Sequence, residues 1–196
     1  MLRVGITGGI GSGKSVVARI FETLGIPVYY SDAEAKQLMN NDATLRANII
    51  AAFGPEAYNE AGLNRSWLAA QAFQQPEKTQ LLNSIVHPAV ITHGTLWLQQ
   101  QQTAYAIKEA ALFFESGSAT DIDFMIGVYA PQALRIQRVM QRDGLGRQEV
   151  LTRMSRQIEE TVKMKLCDAV ITNNEQVMLI PQVLRLHEQL LAMAEK

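Results

Sequence analysis

The sequence predicts an α/β fold, a parallel sheet with helices on both faces, and three observations predict it. Short apolar runs, "LRVGIT", "IPVYYS", "YAIKEAALFFE", "DFMIGVYAP" and "AVITN", have the character of buried strands. Stretches of helical periodicity separate them, as parallel connections require. The first run passes through "GGIGSGKS", Gly8 to Ser15, directly into a helical pattern, the strand, loop and helix order of a phosphate-binding unit.

Each element has its own justification. Val16, Val17, Ile20, Phe21 and Leu24 lie at helical spacing after the glycine loop, and Gly25 supplies a stop. "IPVYYS" reads as the second strand, and its carboxyl end runs into "DAEAKQLM", where Asp32 can begin a helix. A helical pattern then extends from about residue 42 to 102. It is broken by "FGPEAYNEAGLN", by Pro76 and by Pro88, and no strand-like alternation interrupts it. That block is too long for a plain crossover and reads as a separate substrate-covering subdomain. The third and fourth strands follow, then an arginine-rich helical stretch, a last strand and a terminal helix running to the final residue. The expected organisation is one unit in three parts: a core of residues 1–31, 103–134 and 168–196, a helical subdomain of 32–102, and a lid of 135–167. There is no internal repeat, and "QQQQ" at Gln99 to Gln102 reads as a solvated helix end.

Bulk properties narrow the function. With 196 residues the chain can bury one substantial core and a small insertion, but hardly two large independent domains. A net charge of −1 argues against a dedicated nucleic-acid binder, which carries a strongly basic balance. The single cysteine, Cys167, excludes an intrachain disulfide, fits a reducing compartment and reads as a small buried hydrophobe. No apolar run reaches the length of a membrane span, and the first residues enter a strand rather than a basic signal segment. A cytoplasmic protein with no membrane partner is the expectation.

The glycine loop fits G-x-x-x-x-G-K-[ST], with Gly8 and Gly13 as the fixed glycines, Lys14 as the cation and Ser15 as the hydroxyl. Such loops turn successive backbone N–H groups inward, and the helix that follows presents its positive end to an anion. Gly8, Gly9, Gly11, Ser12, Gly13, Lys14, Ser15 and Val16 are therefore the candidate phosphate-binding residues. Lys14 would reach the β and γ phosphates of a nucleotide, and Ser15 would be the protein's ligand to Mg²⁺.

In open parallel sheets ligands bind beyond the carboxyl ends of the strands, which makes residues just past each strand the chemical candidates. Asp32 stands there, able to accept a proton from an attacking hydroxyl, to hold Mg²⁺ through water, or to cap its helix. Glu109 and Glu115 bracket "AALFF"; one could stand on the metal side, or both could simply close a strand. Six arginines, at 135, 138, 142, 147, 153 and 156, fall in a stretch without lysine. Arg135, Arg138 and Arg142 at helical spacing could form a solvated face. Guanidinium forks also suit phosphate, and the glycines of "DGLG" supply joints, so the stretch reads as a mobile arginine lid with Arg142 and Arg153 as its participants. His87, His93 and His187 read as structural, and Trp67 and Trp97 as core. No Cys/His cluster has zinc spacing, and no G-x-S-x-G elbow is present.

Several words in a fixed order resemble the dephospho-CoA kinase family over nearly the whole chain. "GITGGIGSGKS" is similar to its amino-terminal loop, "SDAE" to its Asp-Ala-Asp segment and "LNSIVHP" to its Leu-Asn-x-Ile-Val-His-Pro signature. "AALFFE" resembles its Pro-Leu-Leu-Phe-Glu segment, "RVMQRDG" its arginine lid, and "CDAVITNN" its Ala-Asp-x-Val-Ile-x-Asn piece. Ala111 in place of proline, Glu34 in place of the second aspartate, and Val16 where threonine often stands are departures, and none removes a group the chemistry needs.

The resemblance implies a P-loop kinase core with a helical substrate domain and an arginine-rich lid, using ATP, Mg²⁺ and dephospho-CoA. It implies Asp32, Lys14 and Arg142 as catalytic residues, Arg142 and Asn173 as nucleotide contacts, and Asp32, His87, Glu115 and Arg153 on the acceptor side. Another small-molecule kinase, for a nucleoside or nucleotide, is the nearest alternative, and "LNSIVHP" argues against it. A nucleotide-dependent switch is the other; a guanine-reading Asn-Lys-x-Asp segment is absent from the sequence.

Overall fold

The structure is a computed structural model describing residues 1–195. In chain order the elements are β1 (Leu2–Thr7), α1 (Lys14–Thr23), β2 (Val28–Tyr30), α2 (Ser31–Asn41), α3 (Ala43–Phe53), a short 3₁₀ turn (Pro55–Ala57), β3 (Tyr58–Asn59), β4 (Gly62–Leu63), α4 (Arg65–Gln74) and α5 (Pro76–Gln99). They continue with β5 (Tyr105–Glu109), β6 (Phe124–Tyr129), α6 (Gln132–Asp143), α7 (Arg147–Met154), α8 (Glu160–Lys165), β7 (Ala169–Thr172) and α9 (Leu179–Ala194).

Five strands make one parallel sheet in the order β2-β5-β1-β6-β7. Its inner strands β5, β1 and β6 are largely buried because both their faces are covered. Val4, Ile6, Ile107, Ile126, Val128 and Ile171 meet Val17 and Phe21 of α1 and Val183 and Leu190 of α9 in one fully buried core. Truncating a side chain there, such as Ile126 to alanine, would cost about 2–5 kcal/mol. A second cluster, Ala110, Phe113 and Met125 with Ile122 and Cys167, fills the β5–β6 connection. A third joins α6 and α7 through Ile136, Val139 and Val150, with Ile10 of the glycine loop packed against it.

The chain divides into two compact units, one of Met1–Tyr30 together with the residues from Trp97 on, the other Ser31–Leu96. The sheet, the glycine loop and α6 to α9 lie in the first. In the second, Asp42 caps α3 by accepting from the Leu45 N–H at 2.7 Å, and Asn64 caps α4 through the Trp67 N–H. The Tyr58 hydroxyl donates to the Met39 carbonyl at 2.6 Å, and the Arg46 guanidinium lies 4.6 Å from the Tyr58 ring centre.

Three sequence expectations change. The helical block does contain strands: β3 and β4 pair antiparallel as a two-residue hairpin, too short to show alternation. Pro88 does not end a helix but sits inside the 24-residue α5, so His87 is in mid-helix. A proline there removes one N–H from the ladder and leaves the rest of a long helix able to continue. The third strand stops at Glu109, and "AALFFE" leaves it as turns, with the Ser116 N–H donating to the Leu112 carbonyl. Among the described residues no helix is long and apolar enough to cross a membrane.

Candidate active site

The register Ile6↔Glu109 brings the ends of β1 and β5 level, so the loop leaving β1 rises beside Glu109. Gly13 ends that loop at φ 93°, a left-handed conformation that L side chains rarely adopt, and α1 starts at Lys14. A Cβ on Gly13 would run into the Asn173 side-chain nitrogen, which would have to move aside. Lys14 is nine-tenths buried, with its Nζ 4.0 Å from Glu109 Oε1, itself 5% exposed. Ser15 and Val16 are exposed on the first turn of α1, and the Ser12 hydroxyl is buried without a hydrogen-bond partner among the described residues.

Asn173 stands just beyond β7 and grips the loop from the far side. Its amide donates to the Ser12 carbonyl at 2.8 Å, and its own N–H donates to Tyr129 at the end of β6. Arg138 of α6 reaches the Gly11 carbonyl and the Asn173 side chain at 3.4 Å each, and is anchored by Glu175 at 3.0 Å. Four elements thus converge on the loop at the carboxyl edge of the sheet, where its amides and the α1 N-terminus can hold an anion.

The arginines divide into two groups. Arg135 and Arg138 point at the loop, Arg135 being 7% exposed and paired with Glu160 at 3.2 Å. Arg142 and Arg153 lie on the surface, and both meet Asp143. Arg142 forms a two-pronged contact at 2.7 and 2.9 Å, and Arg153 stands 3.7 Å away. That fork holds the Asp143 carboxyl below the ordinary carboxylate range and raises the Arg142 guanidinium. Gly144, at φ 67°, ends α6 between these groups.

Glu115 is bound into the fold: one carboxylate oxygen accepts from the fully buried Lys163 at 2.8 Å and from the Ile158 N–H at 2.9 Å. Asp32 is exposed in the first turn of α2, one residue past the β2–α2 junction. His87 is half-buried within α5, and burial lowers its pKa, which favours the neutral ring. Glu34 lies 4.0 Å from His93 in the same unit. His187 packs on the Tyr105 ring and shares a hydrogen bond with its hydroxyl, in keeping with a structural role. Burial pushes the Cys167 thiol up to about 12, the behaviour of a small hydrophobe rather than a nucleophile.

Among the described residues no three His, Cys, Asp or Glu side chains are grouped to hold a metal. An all-protein cage is therefore absent there, and the donor at hand is the exposed Ser15 hydroxyl at the mouth of the loop. That set fits Mg²⁺, which keeps several waters and binds through few protein ligands together with substrate phosphates.

Sequence reasoning missed Arg135, Gln157 and Glu160, which surround the start of the loop. Gln157 and Glu160 lie far from it in sequence and match no short motif; only the concentration of arginines pointed to that side.

The comparisons with known proteins agree with this geometry. A family model described as dephospho-CoA kinase matches residues 2–178. A dephospho-CoA kinase of Bacteroides fragilis is 36% identical over 94% of this chain and 91% of its own length. That of Salinibacter ruber is 39% identical over 89% of each. The crystal structure of TT1252 from Thermus thermophilus superposes with a TM-score of 0.82 at 33% identity, covering 98% of this chain and 97% of that one. A dephospho-CoA kinase from Campylobacter jejuni gives 0.69 at 25% identity, covering 95% and 96%. At 15% identity a shikimate kinase from Acinetobacter baumannii, with a TM-score of 0.61, speaks for the fold alone. The loop with its lysine, the parallel sheet behind it and a family model spanning both units lead to one assignment: the chain belongs to the dephospho-CoA kinase family of ATP-dependent kinases.

Proposed function

We propose that this chain transfers the γ-phosphoryl group of ATP to the ribose 3′-hydroxyl of dephospho-CoA, giving CoA and ADP, the last step of coenzyme A biosynthesis. The observation that carries the reading is Lys14 seated against Glu109 beneath a glycine loop, in a chain of this family. In this reading the glycine loop, the N-terminus of α1 and the Lys14 ammonium hold the phosphates, and the Ser15 hydroxyl is the protein ligand to Mg²⁺. The ion, when bound, neutralises phosphate charge.

The hydroxyl oxygen attacks the γ-phosphorus as the bond to the β–γ bridging oxygen breaks, and Asp32 takes the hydroxyl proton. Its exposed place after β2 supports that role, since it leaves the carboxylate open to a substrate. Arg142 and Arg153 act as the lid by exchanging Asp143 for phosphate oxygens; sharing one carboxylate at the surface leaves both able to move. Asn173 shapes the nucleotide side through Ser12. His87, as a neutral ring, and Glu115, through its hold on residues 158 and 163, belong to the acceptor side. The single cysteine and the demand for ATP support a cytoplasmic location.

The test is ADP release by the purified protein with Mg²⁺-ATP and, in turn, dephospho-CoA, adenosine, AMP or no acceptor. Acceleration by dephospho-CoA alone is expected. Response to another acceptor instead would sink the substrate assignment while leaving the phosphate site in place, and slow release independent of acceptor would indicate a switch.

A further inference from the structure

The first two N–H groups after Gly8 do not point into open space. Gly9 donates to the Glu160 carboxylate at 3.1 Å to one oxygen and 3.4 Å to the other, and Ile10 donates to Gln157 Oε1 at 2.9 Å. Both acceptors come from the segment between α7 and the first residue of α8. The Ser12 N–H turns back onto the Gly9 carbonyl at 3.1 Å, so the Gly9 peptide is held on both sides.

The contact to Gly9 is built in. The Glu160 and Arg135 side chains are each only 9% exposed, and their charges meet at 3.2 Å. A buried carboxylate without that cation would be costly. A Cβ on Gly9 would run into Arg135 Nη1 and Glu160 Oε2, so the pair closes directly over Gly9 and any side chain there would have to push it aside. Ile10 is held a second time, its side chain packed into the α6–α7 cluster. A Cβ on Gly11 would lie 2.5 Å from the Arg135 carbonyl, which puts the α6 backbone against the next residue as well.

We propose that Gln157 and Glu160, backed by Arg135, are positioning residues for the nucleotide: they fix the Gly9 and Ile10 peptide units and thereby the shape of the loop on which the ATP phosphates rest. None of the three needs to touch the nucleotide. The loop's far side is set by Asn173, and this brace sets the near side. Without it the Gly9 and Ile10 peptide units are free to turn, and affinity for phosphate falls before anything else does.

Gln157 is half-exposed, so Gln157→Met removes the acceptor for Ile10 with little risk to folding. Glu160→Gln keeps an oxygen for Gly9 while removing the charge that balances Arg135. The readouts are the ADP Kd by calorimetry, the KM for ATP and for dephospho-CoA separately, and the thermal midpoint. Expected for Gln157→Met is a rise of about tenfold in ADP Kd and ATP KM, the scale of one lost hydrogen bond, with KM for dephospho-CoA and the midpoint near wild type. Glu160→Gln, where it folds, should show the same nucleotide-selective loss; where it does not, Gln157→Met decides alone. Nucleotide affinity within about twofold of wild type in folded Gln157→Met, well under the effect of a lost hydrogen bond, would overturn the proposal. So would an equal rise in both KM values, or a loss confined to the thermal midpoint. The KM measurements rest on the phosphotransfer reading above, whereas ADP affinity does not. A wild-type protein inert toward dephospho-CoA would therefore refute that reading and still leave the brace testable by ADP binding.

Discussion

Lys14, the first residue of α1, and Glu109, the last residue of β5, bring their charges to 4.0 Å at the carboxyl edge of the sheet, and both are buried. The contact follows from topology: β1 and β5 are parallel neighbours in register, so one strand's loop and the other's final carboxylate share an edge. A lysine held in this way is aimed in advance, and preorganised charge is what phosphoryl transfer requires. Lys14→Met should lower kcat by about 10² to 10³, the effect of removing one preorganised charge at a reacting centre. A coupled ADP-release assay measures it, and a kcat within a few-fold of wild type would remove Lys14 from the mechanism.

Asp32→Asn preserves shape and removes the base. Turnover should fall by about 10² to 10⁴, with the KM for ATP nearly unchanged. Loss of ATP binding in the same variant would show instead that the carboxylate serves a metal or the fold.

Lys163 is fully buried, donating to the Ala111 carbonyl at 2.9 Å and to Glu115 at 2.8 Å. It ties α8 to the turn that follows β5. Lys163→Met would strand a partly buried carboxylate and should destabilise the protein by about 3–5 kcal/mol. Urea unfolding gives the value, and a change below 1 kcal/mol, small beside the cost of a broken buried pair, would mean the contact is dispensable.

Lys108 is 5% exposed in mid-strand, beside the Phe113 ring. Burial lowers its pKa, and the charge of Asp121 only partly opposes this. The unfolded chain therefore binds the Lys108 proton more tightly than the folded one, and stability from this group rises with pH until the unfolded value near 10.5 is passed. Lys108→Met should be more stable than wild type at pH 7, with the gap narrowing toward pH 10. Thermal midpoints at the two pH values check it; a gap that widens with pH would reverse the sign.

Where chemistry is local, the sequence could be read. "GGIGSGKS" carries its own geometry, and the runs that became β1 and β6 are apolar because both sheet faces are covered there. The β3–β4 hairpin escaped because two-residue strands have no period to detect. Pro88 misled because a single lost hydrogen bond does not stop a 24-residue helix. Among the arginines, spacing marked a helix face but could not say which members turn inward. Arg135 and Arg138 meet the loop only because Glu160, Glu175 and Asn173 arrive from later elements to meet them. Arg142 and Arg153 were singled out, and what they share, the Asp143 carboxylate, is likewise a tertiary fact.

The central claim is the transfer of a phosphoryl group to one particular hydroxyl. Its most direct test is to incubate the protein with Mg²⁺-ATP and dephospho-CoA and to identify the product by mass spectrometry and phosphorus NMR. The account predicts a single new phosphomonoester on the ribose 3′ oxygen, identical to CoA and formed in step with ADP. ADP formed without a new phosphomonoester, or a phosphate on any other oxygen, would contradict it.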